Sequence, residues 1–169
     1  MSKTVARKGV IIAGTGHRPK YCPCKYNEKH PWLKDLKSRL YADLDVGWNS
    51  QQIEYVISGG AIGWDMWLAE TALEIGIPVH MYLPFRDQGS TWPTETLNRF
   101  KGLLAKADVV KYISEEYSNK AFFKRDEAMI DACDIVFALL NPVAQEGGTY
   151  YTVQYAQKQN KEIENYWRD

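Results

Sequence analysis

The chain has 169 residues, with 21 lysines and arginines against 21 aspartates and glutamates, so its formal net charge is zero. That balance excludes an overall field that would recruit a polyanion or an acidic membrane surface, and nucleic acid is not expected as a partner. The length suits one domain spanning 1–169 with a core of its own. No apolar run reaches spanning length, and "MSKTVARKG" has no apolar middle, so neither a membrane partner nor a secretory leader is expected. Three cysteines cannot form a complete disulfide framework, and the expected setting is the reducing cytoplasm.

In chain order, "GVIIAGTG" is a short apolar run closing on glycines and predicts a buried strand. "HPWLKDLKSRLYADL" spaces Trp32, Leu33, Leu36, Leu40 and Leu44 along one helical stripe, with Pro31 at its start. "IEYVISGG" predicts a second strand, and "WDMWLAETALEIG" a helix ending at Gly76. "PVHMYLP" is a third strand. A long loop, "PFRDQGSTWP", leads to the helix "TETLNRFKGLLAKA". "DVVKYIS", "AFFKRDEAMIDAC", "DIVFALL", "GTYYTVQYAQKQN" and "EIENYW" continue the alternation as strand, helix, strand, helix, strand. This pattern predicts an α/β fold, a Rossmann-like three-layer sandwich with a mostly parallel sheet.

In such sheets ligands bind beyond the carboxyl ends of the strands. Three glycine-rich turns fall on that rim: "GTGHRP" (Gly14, Thr15, Gly16, His17, Arg18), "SGGAIGWD" (Gly59, Gly60, Ala61, Gly63, Asp65) and "EGGTYYT" (Gly147, Gly148, Thr149). Small residues there let a phosphate approach backbone N–H groups at a helix N-terminus. Arg18 offers a guanidinium fork for an anion. Asp65 either accepts a ribose hydroxyl or caps its helix, and His17 is either a ligand contact or a structural histidine. In the loop after the third strand, Phe85, Gln88 and Trp92 either anchor the loop or form a flap that stacks on a base. Neither GxGxxG nor a phosphate loop ending in GK[ST] is present. Cys22, Cys24 and His30 miss zinc-site spacing, so no metal and no cofactor is expected.

"TGHRP", "SGGAIGWDMWLAETA", "LPF" with "QGSTW", "KRDEAMIDACD" and "GGTYYTVQYA" occur in the order seen in the YspA/YpsA-related SLOG family, which the chain resembles over roughly residues 10–167. SLOG also holds the LOG phosphoribohydrolases and the core domain of the Smf/DprA proteins. The resemblance implies a Rossmann-like fold binding a nucleotide or nucleotide-derived ligand, as a sensor, sequestering protein or carrier. It also implies an enzymatic alternative, N-glycosidic cleavage of a nucleotide, because LOG enzymes carry an arginine four residues before a methionine, here Arg125 and Met129. LOG enzymes place a glutamate where this chain has Thr152, which leaves Arg125, Glu146 and Asp65 as catalytic candidates and favours binding over turnover. Trp32, Trp67 and Tyr151 add apolar surface, and with it the expectation of a homodimer.

Overall fold

The computed structural model describes residues 9–169; residues 1–8, which hold most of the stretch read for a leader, lie outside them. Six strands form one sheet: β1 (Val10–Gly16), β2 (Ile53–Ser58), β3 (Val79–Leu83), β4 (Val109–Tyr112), β5 (Ile135–Leu139) and β6 (Glu162–Asn165). Their order across the sheet is β4-β3-β2-β1-β5-β6, and every neighbouring pair is parallel. The sheet is therefore wholly parallel, as a strict strand–helix alternation requires. Five helices connect the strands: α1 (Pro31–Asn49), α2 (Trp64–Ile75), α3 (Thr94–Lys106), α4 (Asn119–Ala132) and α5 (Gly148–Lys158).

The helices divide between the two faces. Leu33, Leu36, Leu40 and Leu44 of α1 are fully buried with Trp64, Trp67 and Leu68 of α2 and Phe100 and Leu103 of α3. On the opposite face Met129 and Ile130 of α4 and Val153 and Ala156 of α5 pack on Ile11, Ala13, Val136 and Ala138. Two-sided cover explains why β1 and β5 are near-continuous apolar runs rather than alternating ones.

Boundaries differ from the sequence reading where capping decides them. Helix α1 runs five residues past Leu44, to Asn49, and begins with His30 Nδ1 accepting the Trp32 N–H at 3.0 Å ahead of Pro31. Helix α4 starts at Asn119, two residues earlier than expected, because Ser118 accepts the Ala121 N–H. Strand β2 ends at Ser58, before its glycines.

Two of the three rings behind the dimer expectation are absorbed by the chain itself. Trp67 is buried in the core, and Trp32 donates its Nε1–H to the Arg168 carbonyl at 2.8 Å while packing edge-on against Trp167. Tyr151 alone stays exposed. No helix among the described residues is long and apolar enough to cross a membrane.

Candidate functional site

Strand order reverses between β1 and β5, and there the chain opens a cleft of about 970 Å³. Gly14 to Arg18 form one wall. The loop from Val143 to Glu146 and the start of α5, Gly147 to Thr149, form the other. Ala61, Asp65, Phe122, Arg125 and Asp126 contribute from α4 and the entry to α2, with Lys20 and Tyr21 beside Arg18. This is the position where a doubly wound sheet holds its ligand.

The three glycine turns serve different neighbours. A Cβ on Gly16 would run into the Trp64 ring, and one on Gly14 into Leu68, so the first turn is small to let α2 pack against β1. Trp64 is fully buried and donates its Nε1–H to the Phe137 carbonyl at 2.9 Å. Gly60 has φ +73°, and a Cβ there would meet Phe100 and Met81 at 2.8 and 2.9 Å. Gly63 has φ +100° and lies against the His17 carbonyl and Pro19. A Cβ on Gly59 would meet both Arg125 Nη1 and Asp65 Oδ2 at 2.8 Å. Thus Gly59, Gly60 and Gly63 make room for protein groups and do not line the cleft. At Gly147 and Gly148 an added Cβ would meet nothing within 4 Å.

Helix α5 starts with no side-chain cap, and its first internal bond runs from the Tyr151 N–H to the Gly147 carbonyl. The N–H groups of Gly148, Thr149 and Tyr150 are left for an acceptor from outside the helix. Across the cleft Arg18 is exposed, and no carboxylate of the described residues pairs with it. His17 is structural in part: its Nε2 accepts the Asn141 N–H at 3.0 Å, which puts the ring proton on Nδ1. Burial lowers its pKa, so it is the neutral imidazole.

Charge is concentrated on the floor. Arg125, 5% exposed, donates from Nε to Asp126 Oδ1 at 2.7 Å and from Nη1 to the carbonyls of Gly59 at 2.7 Å and Tyr82 at 3.3 Å. Asp65 is 8% exposed; its Oδ2 accepts the Ala61 N–H at 3.2 Å and caps the turn. Burial pushes its carboxyl up to about 6, against the pull of Arg125 and with a push from Asp126. Thr152 donates to the Gly148 carbonyl at 2.8 Å or to Asp126 Oδ2 at 3.2 Å, so the site where LOG enzymes have a glutamate holds a buried hydroxyl. Glu146 lies exposed at the mouth.

The flap reading of the loop after β3 is corrected. Phe85 is buried edge-on against Tyr117 and Phe122, Gln88 donates to the Gly59 carbonyl at 3.0 Å, and Trp92 packs on Phe100. Each is occupied inside the protein, and none lines the cleft. Conversely Asp126, Phe122, Lys20 and Tyr21 line it without having been singled out. Phe122, Arg125 and Asp126 stand at i, i+3 and i+4 on α4, a spacing that puts them on one face with the arginine already suspected. Cys22 and Cys24 are buried in the core behind this wall.

Among solved structures, DNA processing protein A from Helicobacter pylori superposes with a TM-score of 0.63 at 19% identity over 92% of this chain. The protein of that name from Streptococcus pneumoniae gives 0.63 at 16%, and the molybdenum cofactor carrier protein of Chlamydomonas reinhardtii gives 0.53 at 13%. This chain spans 64% and 50% of the two DNA processing proteins and 74% of the carrier, and the likeness is one of fold. The Helicobacter protein is described by its single-stranded DNA binding mode. That corrects the expectation against nucleic acid: this fold accommodates it elsewhere, and a chain-wide charge sum says nothing of the local field at Arg18 and Lys20. Curated relatives include a UPF0398 protein of Bacillus cereus, 28% identical over 163 residues, covering 92% of this chain and 86% of the relative. Another from Bacillus pumilus is 29% identical over 167 residues, covering 92% and 82%. The family profile described as YspA SLOG matches residues 12–168, all of the cleft and all but the first two residues of the sheet, and the chain belongs to that family.

Proposed function

We propose that the cleft binds a nucleotide or nucleotide-derived ligand by its phosphate, and that the protein works as a sensor, sequestering protein or carrier for it. The observation that carries this reading is the uncapped start of α5, where Gly147 and Gly148 face open space across the cleft from Arg18, which no carboxylate of the described residues holds in an ion pair. Free N–H groups at the positive end of a helix dipole favour an anion, and a guanidinium across the gap adds a charge-assisted partner. A cleft of about 970 Å³ has the size of a small-molecule site. The carrier reading is supported by the shared fold of the molybdenum cofactor carrier protein.

Calorimetric titration with mono-, di- and cyclic nucleotides tests the proposal. Arg18→Glu reverses a charge at an exposed position without touching the core, and it should weaken binding by at least about tenfold. Unchanged affinity in Arg18→Glu would remove the phosphate site from this wall.

Turnover is the competing reading, favoured by the carboxylates of Asp65 and Asp126 beside Arg125. Cleavage of a glycosidic bond needs a carboxylate at the developing positive charge; Thr152 supplies none at the LOG glutamate position, and the neighbouring Asp126 is held by the Arg125 guanidinium at 2.7 Å. Chromatography of nucleoside monophosphates after long incubation should therefore reveal no free base. Base release abolished by Asp126→Asn or Asp65→Asn would make the protein an enzyme with a relocated carboxylate.

A further inference from the structure

We propose that Asp65 and Asp126 read the sugar of the ligand by accepting hydrogen bonds from its vicinal hydroxyls, so that the cleft selects ribonucleotides over deoxyribonucleotides. This rests on the phosphate reading above and fixes the ligand's orientation within the same site.

The cleft is electrically two-ended. Arg18, Lys20 and the start of α5 make its upper part positive, apart from exposed Glu146 at the mouth, while Asp65 and Asp126 contribute carboxylates below. A phosphate on the floor would face two carboxylates against the one Arg125 guanidinium, whose Nε Asp126 already holds at 2.7 Å, and a sugar at the rim would leave the helix N–H groups without an anion. The ligand therefore enters with its anionic end on α5 and its hydrogen-bond donors directed to the floor.

The floor groups have unused capacity. Asp65 is more than nine-tenths buried and lines the cleft, yet only its Oδ2 takes a hydrogen bond, from Ala61 at 3.2 Å; Oδ1 has no partner among the described residues. Arg125 is buried to the same degree, and its Nη2 likewise has none. Asp126 is held by the Arg125 Nε at 2.7 Å, and the Thr152 hydroxyl, 3.2 Å from its Oδ2, is shared with the Gly148 carbonyl, leaving further lone pairs on both oxygens. Two acceptors around one donor match a vicinal diol, which brings two O–H donors and two oxygens that accept. A divalent cation is the other guest for paired carboxylates, but the Arg125 guanidinium already stands beside both. No cluster of three or more metal-ligating side chains exists among the described residues.

Removing one hydroxyl from such a ligand leaves a carboxylate oxygen without that donor, a loss of about 10–100-fold in affinity.

The test is calorimetric titration of the full chain with the four ribonucleoside 5′-monophosphates, their 2′-deoxy counterparts, ribose 5-phosphate, 2-deoxyribose 5-phosphate and inorganic phosphate. The expected result is a ribo-to-deoxy preference of at least about tenfold that Asp126→Asn, or independently Asp65→Asn, brings close to one. Inorganic phosphate should bind these variants no more weakly than the wild type, a result that global damage to the fold would not give. Equal affinity for ribo and deoxy ligands in the wild type overturns the proposal while leaving the phosphate site standing. So does a preference that survives in both variants. If neither inorganic phosphate nor any sugar phosphate binds, the phosphate reading has failed, and this inference fails with it.

Discussion

Gly16 is small for Trp64, and that pairing marks how far residue identities can be read without their neighbours. The sequence shows a glycine after a strand, and an anion cradle is one sound explanation for it. Only the packed structure reveals that an indole fills the space, since the two are 48 positions apart in the chain. Gly147 and Gly148 carry the same sequence signal with the opposite meaning, because nothing in the protein fills theirs. Gly16→Ala should therefore destabilise the protein by about 1–3 kcal/mol in urea titration, through displacement of Trp64 rather than through any ligand. Asp65 gives a second residue-level prediction. Its native pKa is raised from 3.8 to about 6, so the folded state holds that proton more tightly than the unfolded chain. The stabilisation is complete below the unfolded value and is lost as pH rises through about 6, a change of roughly 3 kcal/mol at most. Urea titrations between those pH values should show this decline in the wild type and a flatter profile in Asp65→Asn.

At the scale of elements, the strands β1 to β5 and the helices α1 to α5 were legible from their apolar runs or stripes, whereas β6, with Ile163 as its one apolar residue, follows from the strand–helix alternation alone. The ends were less legible, since they depend on single hydrogen bonds from residues outside the apolar pattern. Ser118 is the clearest example: its hydroxyl takes the Ala121 N–H at 3.0 Å and sets where α4, with Arg125 and Asp126, begins. Ser118→Ala should cost about 1 kcal/mol of stability by thermal or chemical unfolding, with the loss centred on α4 in hydrogen exchange. For the loop holding Phe85, Gln88 and Trp92 the sequence leaves an anchor and a flap open, and the anchor is what forms. Its rings have partners on α3 and α4 that only the fold brings near.

For the molecule as a whole, the location of the cleft was legible and its polarity was not. A strand–helix alternation with glycines after the first strand points to the carboxyl edge, and the switch between β1 and β5 lies there. Bringing Asp65 and Asp126 to one cleft depends on α2 and α4 covering opposite faces of the sheet, which no spacing in the sequence encodes. The rim also touches a chromophore. His17 lines the cleft, and its ring lies edge-on to Trp167 at 5.8 Å, while Trp167 packs at 5.3 Å on Trp32. Any ligand that shifts the imidazole alters the surroundings of an indole, so the protein should signal its own occupancy as a change in the intensity or wavelength of its tryptophan emission. Trp167→Phe should remove most of that change while leaving calorimetric affinity intact, and the unlabelled wild-type chain then serves as an optical gauge of which small molecules fill it.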